Sequence, residues 1–231
     1  MDMILIPGLW LDASCWDSVL APLRAAGHRP AALTMPGVGA PASESAGIGM
    51  ADWVDTAIDH IDAAAGPVVL VGHSAGGNVA WAAAEARPDR VRRVVFVDTV
   101  PPAPGLAITG FPTVDGVVPF PGWDFFPEGH TYDVDAATRA RTGPLMRSVP
   151  ARVPADPLPI TGDRRYGIPV TLLLGRRDRA KHEARLSQAG PYGEEYRAIA
   201  DTEVAKIGSG HWPQFTASKR LSRLLIEAAD R

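Results

Sequence analysis

Cysteine is almost missing from this chain of 231 residues, and the lone Cys15 excludes both an intramolecular disulfide and a structural zinc site built on thiolates. That scarcity suits a reducing compartment, so a cytoplasmic protein is expected. Charge of one sign is missing too: 23 Lys and Arg stand against 26 Asp and Glu, a formal charge of −3, and the cations form no run. Without a basic patch there is no electrostatic footprint for nucleic acid or for an anionic membrane surface. The apolar stretches are short and broken by Gly, Pro and polar residues, so none reads as a membrane span. Met1–Gly8 has no basic start and too brief an apolar stretch for a secretory leader, and a classical signal is not expected. What remains is average for a folded domain, with 46% hydrophobic and 21% charged residues, and a single core is expected at this length. The expected partner is a small molecule, the expected state monomer or homodimer, and no metal or organic cofactor is implied.

Short apolar runs alternate with segments of helical period, which is the pattern of βα units and a largely parallel sheet. Strands are predicted at Met3–Ile6, Pro30–Thr34, Val68–Val71, Val91–Val97, Val170–Leu174 and Glu203–Ile207. Val68–Val71 is β-branched and uncharged on both faces, as a central parallel strand requires. Between the first two strands, Ser14 and Asp17 have capping-box spacing ahead of a helix with Trp16, Val19, Leu20 and Leu23 on one face and Gly27 as its stop. Further helices are predicted with Trp53, Ala57, Ile58 and Ile61 on one side, over Gly76–Ala86, and over Lys181–Ala189. Near the end, Leu221, Leu224, Leu225, Ala228 and Ala229 make the clearest amphipathic stripe.

From 101 to 167 this rhythm stops. The segment is rich in Pro and Gly and holds seven of the sixteen aromatics, Phe111, Phe120, Trp123, Phe125, Phe126, Tyr132 and Tyr166. A structureless loop of that length is implausible inside a compact domain, so an inserted cap with helical pieces is expected, one of them over Asp135–Met146. The division is then a core of 1–100 and 168–231 with a cap of 101–167.

Chemistry enters at Gly72-His73-Ser74-Ala75-Gly76, between the best strand and a small-residue helix. A serine on a tight strand-to-helix turn presents its Oγ above the sheet edge, and glycines at i−2 and i+2 leave room for the strained backbone. A serine hydroxyl is a weak nucleophile until a base takes its proton. Of six histidines, His211 lies just past the last predicted strand, in Gly208-Ser209-Gly210-His211-Trp212-Pro213, where a loop reaches the carboxyl edge of the sheet. His28, His60 and His130 read as ordinary surface residues, His73 is bound into the elbow, and His182 follows the candidate acid too closely. A carboxylate must orient the imidazole. Asp178, after the penultimate strand, gives the chain order Ser, Asp, His, and Asp98, after the strand that follows the nucleophile helix, is its rival. Acyl transfer also needs two N–H donors for the developing oxyanion, expected from Ala75 and from Leu9 in Pro7-Gly8-Leu9-Trp10. Trp10, Trp123, Phe125 and Trp212 are candidate substrate contacts, with a plain core role open for Trp10 and a mini-core of the cap open for its rings.

With these motifs the chain resembles the α/β-hydrolase superfamily over nearly its whole length, and more narrowly the branch of plant-type methylesterases, hydroxynitrile lyases and their bacterial esterase relatives. The narrower likeness rests on the missing N-terminal hairpin, the cap placed after the strand ending at Asp98, and His211-Trp212-Pro213-Gln214-Phe215. It implies an α/β-hydrolase fold of about six mostly parallel strands flanked by helices, and a serine carboxylesterase acting on small-molecule esters through an acyl-enzyme on Ser74. The chain departs from the branch in having Pro7-Gly8 where His-Gly is common. Hydroxynitrile lyases carry Thr and Lys at positions occupied here by Leu9 and Trp212. Without that lysine no cation stabilises departing cyanide, which argues against the lyase reading. A cofactor-free perhydrolase using the same triad and a non-enzymatic ligand receptor on the same fold also stay open.

Overall fold

In the computed structural model, which describes every residue except Ser187, six parallel strands form one sheet. In chain order these are β1 (Asp2–Ile6), β2 (Arg29–Ala32), β3 (Val68–His73), β4 (Val91–Val97), β7 (Val170–Leu174) and β8 (Thr202–Lys206), and β5 (Val117–Val118) pairs with β6 (Val149–Pro150) in a separate antiparallel ribbon. The order across the main sheet is β2-β1-β3-β4-β7-β8. The chain therefore steps outward from β1 to β2 and returns to lay β3 on the other side of β1. At such a reversal the loops leaving β1 and β3 diverge to opposite faces and open a crevice at the carboxyl ends of the strands.

Side-chain alternation along the strands feeds two cores. Ile4, Ile6, Val68, Leu70, Val94, Phe96, Leu172 and Leu174 face the helices Met50–Ala63 and Ala75–Ala86. Met3, Leu5, Val69, Val71, Val95, Val97 and Leu173 face the helices Asp17–Ala25 and Ser218–Ala229. β3 is buried at all six positions, because it is covered on both faces and paired on both edges. Each fully buried Val, Leu or Ile in these layers stabilises the fold by roughly 1.5–3 kcal/mol.

Most of the expected elements form within a few residues of their predicted bounds. The first helix is capped differently: Asp12, not Ser14, accepts the Ser14 N–H at 2.9 Å, and a 3-10 turn over Ala13–Trp16 precedes the helix. The helix expected over Asp135–Met146 runs Ala136–Thr142 and then tightens into a 3-10 turn at Gly143–Leu145, where Pro144 interrupts the α-helical bonds. The helix expected over Lys181–Ala189 is found at Arg179–Leu186, with Ser187 outside the described residues. A further helix, Pro191–Ala198, follows it with Pro at the first turn.

Between β4 and β7 the chain leaves the sheet. This excursion contains the β5–β6 ribbon and short helical pieces at Trp123–Phe125, Glu128–Thr131, Ala136–Thr142 and Arg152–Ala155. A two-residue turn with Asp115 and Gly116 both at positive φ joins Val114 to Val117, the geometry Asp-Gly favours in tight hairpins. The excursion is held to the core by Arg165, whose side chain is wholly buried. Its guanidinium donates to Glu195 twice, at 2.7 and 3.0 Å, and to Glu85 at 3.0 Å, and the Trp81 indole donates to Glu195 at 2.6 Å.

Candidate active site

Ser74 stands at the first turn after β3 with φ 51° and ψ −120°, a left-handed conformation that a non-glycine residue adopts at a cost of about 1–3 kcal/mol. Packing enforces it. A methyl group at Gly72 would strike the backbone of Gly76, and one at Gly76 would strike the carbonyls of Ile6 and Pro7, so both glycines let the helix start hard against the sheet. Gly8, after β1, is equally confined, because a Cβ there would lie 2.9 Å from His73 Nδ1 and 3.1 Å from Ser74 Cβ.

His211 arrives on the loop after β8. The Gly208 and Ser209 N–H groups both donate to the Gly175 carbonyl, at 2.8 and 3.2 Å, and the Gly210 N–H donates to Asp133 Oδ2 at 2.8 Å. Histidines on either side hold its backbone. His130 accepts the His211 N–H at its carbonyl, 2.8 Å away, and His73 Nε2 bonds the His211 carbonyl at 2.7 Å. Burial, then the neighbouring charge of His211, push His73 down to about 3, so it is neutral and its Nε2–H is the donor. It is thus a strut for the loop and not a base.

The imidazole of His211 pairs through Nδ1 with Asp98 Oδ2 at 2.8 Å, and the other oxygen of Asp98 accepts the Gly175 N–H at 2.8 Å. Burial alone pushes the Asp98 carboxyl up. The hydrogen bond and charge of His211 and the Gly175 amide outweigh that, leaving it below the ordinary carboxylate value. With Asp98 ionised, Nδ1 carries the proton and Nε2 is left basic. The structure thus brings Asp98, and not the expected Asp178, to the His211 ring. Asp178 caps the helix Arg179–Leu186 instead, its Oδ1 accepting the Lys181 N–H at 3.0 Å and its carbonyl the His182 N–H at 3.0 Å.

Ser74 and His211 open onto one cavity of about 290 Å³. Gly8, Leu9 and Trp10 line it from the loop after β1, Trp212 from the histidine loop, and Phe111, Phe125, Phe126 and His130 from the excursion. Of the expected contacts, Trp10, Phe125 and Trp212 reach the cavity. Trp123 does not: it is buried behind the wall, edge-on to Trp212 with ring centres 4.9 Å apart. Trp10 has φ 65° and meets Phe111, Phe120 and Phe126 edge-on, so it serves the wall and the core together. Ala75 is the first residue of its helix, where an amide N–H has no intrahelical acceptor, and no described residue accepts from it or from Leu9. Phe111, Phe126 and His130 were not singled out from the sequence; the aromatic excess of the segment pointed to the first two, while nothing local marked the histidine.

Residues 3–224 match the alpha/beta hydrolase family. The chain belongs to that family. Among curated relatives, this alpha/beta hydrolase is 35% identical over 148 residues to a probable esterase, PIR7A, of Oryza sativa subsp. indica, covering 62% of this chain and 55% of that one. It is 42% identical over 114 residues to the esterase PIR7B of Oryza sativa subsp. japonica, covering 48% and 42%. The matches thus span about half the length of those relatives. Among solved structures, it superposes on an extracellular alpha/beta-hydrolase from a Paenibacillus species with a TM-score of 0.77 at 20% identity, covering all of both chains. At that identity the likeness concerns the fold. Among the described residues no helix of this alpha/beta hydrolase is long and apolar enough to cross a membrane.

Proposed function

We propose that this alpha/beta hydrolase is a serine carboxylesterase for small apolar esters, with Ser74 as nucleophile, His211 as general base and Asp98 as the orienting acid. The observation that carries the reading is the 2.8 Å pair of His211 Nδ1 and Asp98, with His211 lining the same cavity as the strained Ser74. Ser74 Oγ attacks the ester carbonyl as His211 Nε2 takes its proton, and the Leu9 and Ala75 N–H groups receive the oxyanion. Collapse expels the alcohol, which takes that proton from His211 and leaves an acyl-enzyme. Water then attacks the acyl carbonyl, again giving a proton to His211, and the carboxylic acid departs as Ser74 regains its hydrogen. Residues 101–167 act as the cap, and their side chains Ile108, Phe111, Phe125, Phe126 and Pro127 supply much of the apolar wall that sorts substrates. The esterase names of the two rice relatives favour ester cleavage over lyase chemistry, perhydrolase chemistry or a receptor role.

Labelling with a fluorophosphonate and turnover of 4-nitrophenyl butyrate test the reading together. The wild-type protein is expected to take one label per chain at Ser74 and to release 4-nitrophenol, and Ser74→Ala to lose both. Undiminished hydrolysis by Ser74→Ala would end it.

A further inference from the structure

The cap side of the cavity is made by Ile108, Phe111, Phe125, Phe126, Pro127 and His130, five apolar residues and one imidazole. That imidazole is unusual in three respects. It lies over the His211 ring, nearly parallel, with centres 5.2 Å apart and planes inclined by 22°. Its position is set by the backbone, because its own carbonyl is the acceptor of the His211 N–H. And its ring is exposed, with neither nitrogen bonded to a described residue, so both stay available to a ligand. A polar group open to a ligand in an otherwise apolar wall is a point of discrimination, since a ligand that displaces its water and replaces the hydrogen bond binds better than one that displaces the water and offers none.

The location says which part of a ligand it meets. Under the esterase reading, the oxygen that accepts a proton from His211 is that of the departing alcohol, so a ring stacked on His211 lies beside the alcohol half of the ester. We propose that His130 is a specificity-determining residue that hydrogen-bonds a polar substituent on the alcohol, next to the scissile oxygen. Partial desolvation, and then the charge of His211, hold its pKa below the ordinary imidazole value, which favours the neutral ring, at once donor and acceptor. The favoured substituent is therefore an uncharged ether or hydroxyl oxygen, not a carboxylate.

The proposal rests on the esterase reading and is tested by a pair of nearly isosteric esters, 2-methoxyphenyl and 2-ethylphenyl butyrate, each kcat/KM divided by the ester's rate with hydroxide. Wild-type protein is expected to favour the methoxy ester about fivefold, the size of one neutral hydrogen bond. In His130→Phe, which keeps a flat ring and removes both nitrogens, the ratio should fall to about one, and His130→Gln should keep part of it. The ratio is read whatever the variants do to overall activity. Should neither variant fold, inhibition of the wild type by 2-methoxyphenol against 2-ethylphenol carries the same contrast. A wild-type ratio near one, a ratio unchanged in His130→Phe, or equal inhibition by the two phenols would overturn the role of His130. Failure of the wild type to cleave either ester would instead sink the esterase reading.

Discussion

At the end of β4 the backbone of Asp98 turns into the left-handed region, φ 46°, while its N–H stays bonded to the Leu173 carbonyl at 2.8 Å. This turn aims the carboxylate at His211. Gly175 makes room for it, since a Cβ there would lie 2.9 Å from Asp98 Oδ1 and 2.6 Å from the Ser209 carbonyl. Asp178 is three residues further along the same loop and is spent on the next helix. Asp98→Asn, which favours the wrong imidazole tautomer, is therefore expected to lower kcat by roughly 10²–10⁴ with little change in KM. Asp178→Asn is expected to stay within about threefold of wild type, costing at most a helix cap. Steady-state kinetics on one aryl ester decide between them, and the opposite ranking would restore Asp178. Ser74 was legible because its elbow is spelled in five adjacent residues. The carboxylate that pairs with His211 was not, because Asp98 and Asp178 both follow strands that end at the same edge, and a positive φ at an aspartate leaves no mark in the sequence.

Among whole elements, the strands and the helix Ser218–Ala229 could be read directly, since their burial follows apolar periods of two and of about 3.6. The helix Pro191–Ala198 escaped such a reading because one of the residues it buries is Glu195, a charge. Its partner Arg165 lies near the end of the excursion between β4 and β7, and Glu85 and Trp81 belong to the helix Ala75–Ala86, so one ionic cluster joins three segments distant in sequence. Removing one side of a buried pair strands the other without water. Arg165→Ala should thus destabilise the fold by about 3–5 kcal/mol, and a urea titration should show a matching drop in midpoint. A midpoint shift corresponding to less than about 1 kcal/mol would mean that water replaces the guanidinium and that the excursion is held by its apolar contacts.

For the molecule as a whole, the same burial makes stability depend on acidity. His73 and His182 are nearly or fully inaccessible, and burial is the main cause that pushes them down to about 3 and about 4. In the unfolded chain both imidazoles bind protons near pH 6.5. As the pH falls below that value the unfolded state gains protons that the folded state refuses, so stability falls. The loss from His182 accumulates between about pH 6.5 and 4, and that from His73 continues to about 3. Asp98, with its folded value lowered, works in the same direction only below the ordinary carboxylate range, so it does not disturb the upper part of this window. For His182 a fall from 6.5 to about 4, at about 1.36 kcal/mol for each pH unit, is worth up to about 3 kcal/mol. Urea midpoints measured from pH 7.5 to 4.5 should decline, and His182→Phe, whose ring remains edge-on to Tyr196 without a titrating nitrogen, should flatten the decline. Equal slopes for the two proteins would mean that His182 takes up its proton in the folded state near the ordinary pH, and that the tight packing around the helix Arg179–Leu186 opens to water well before the sheet does.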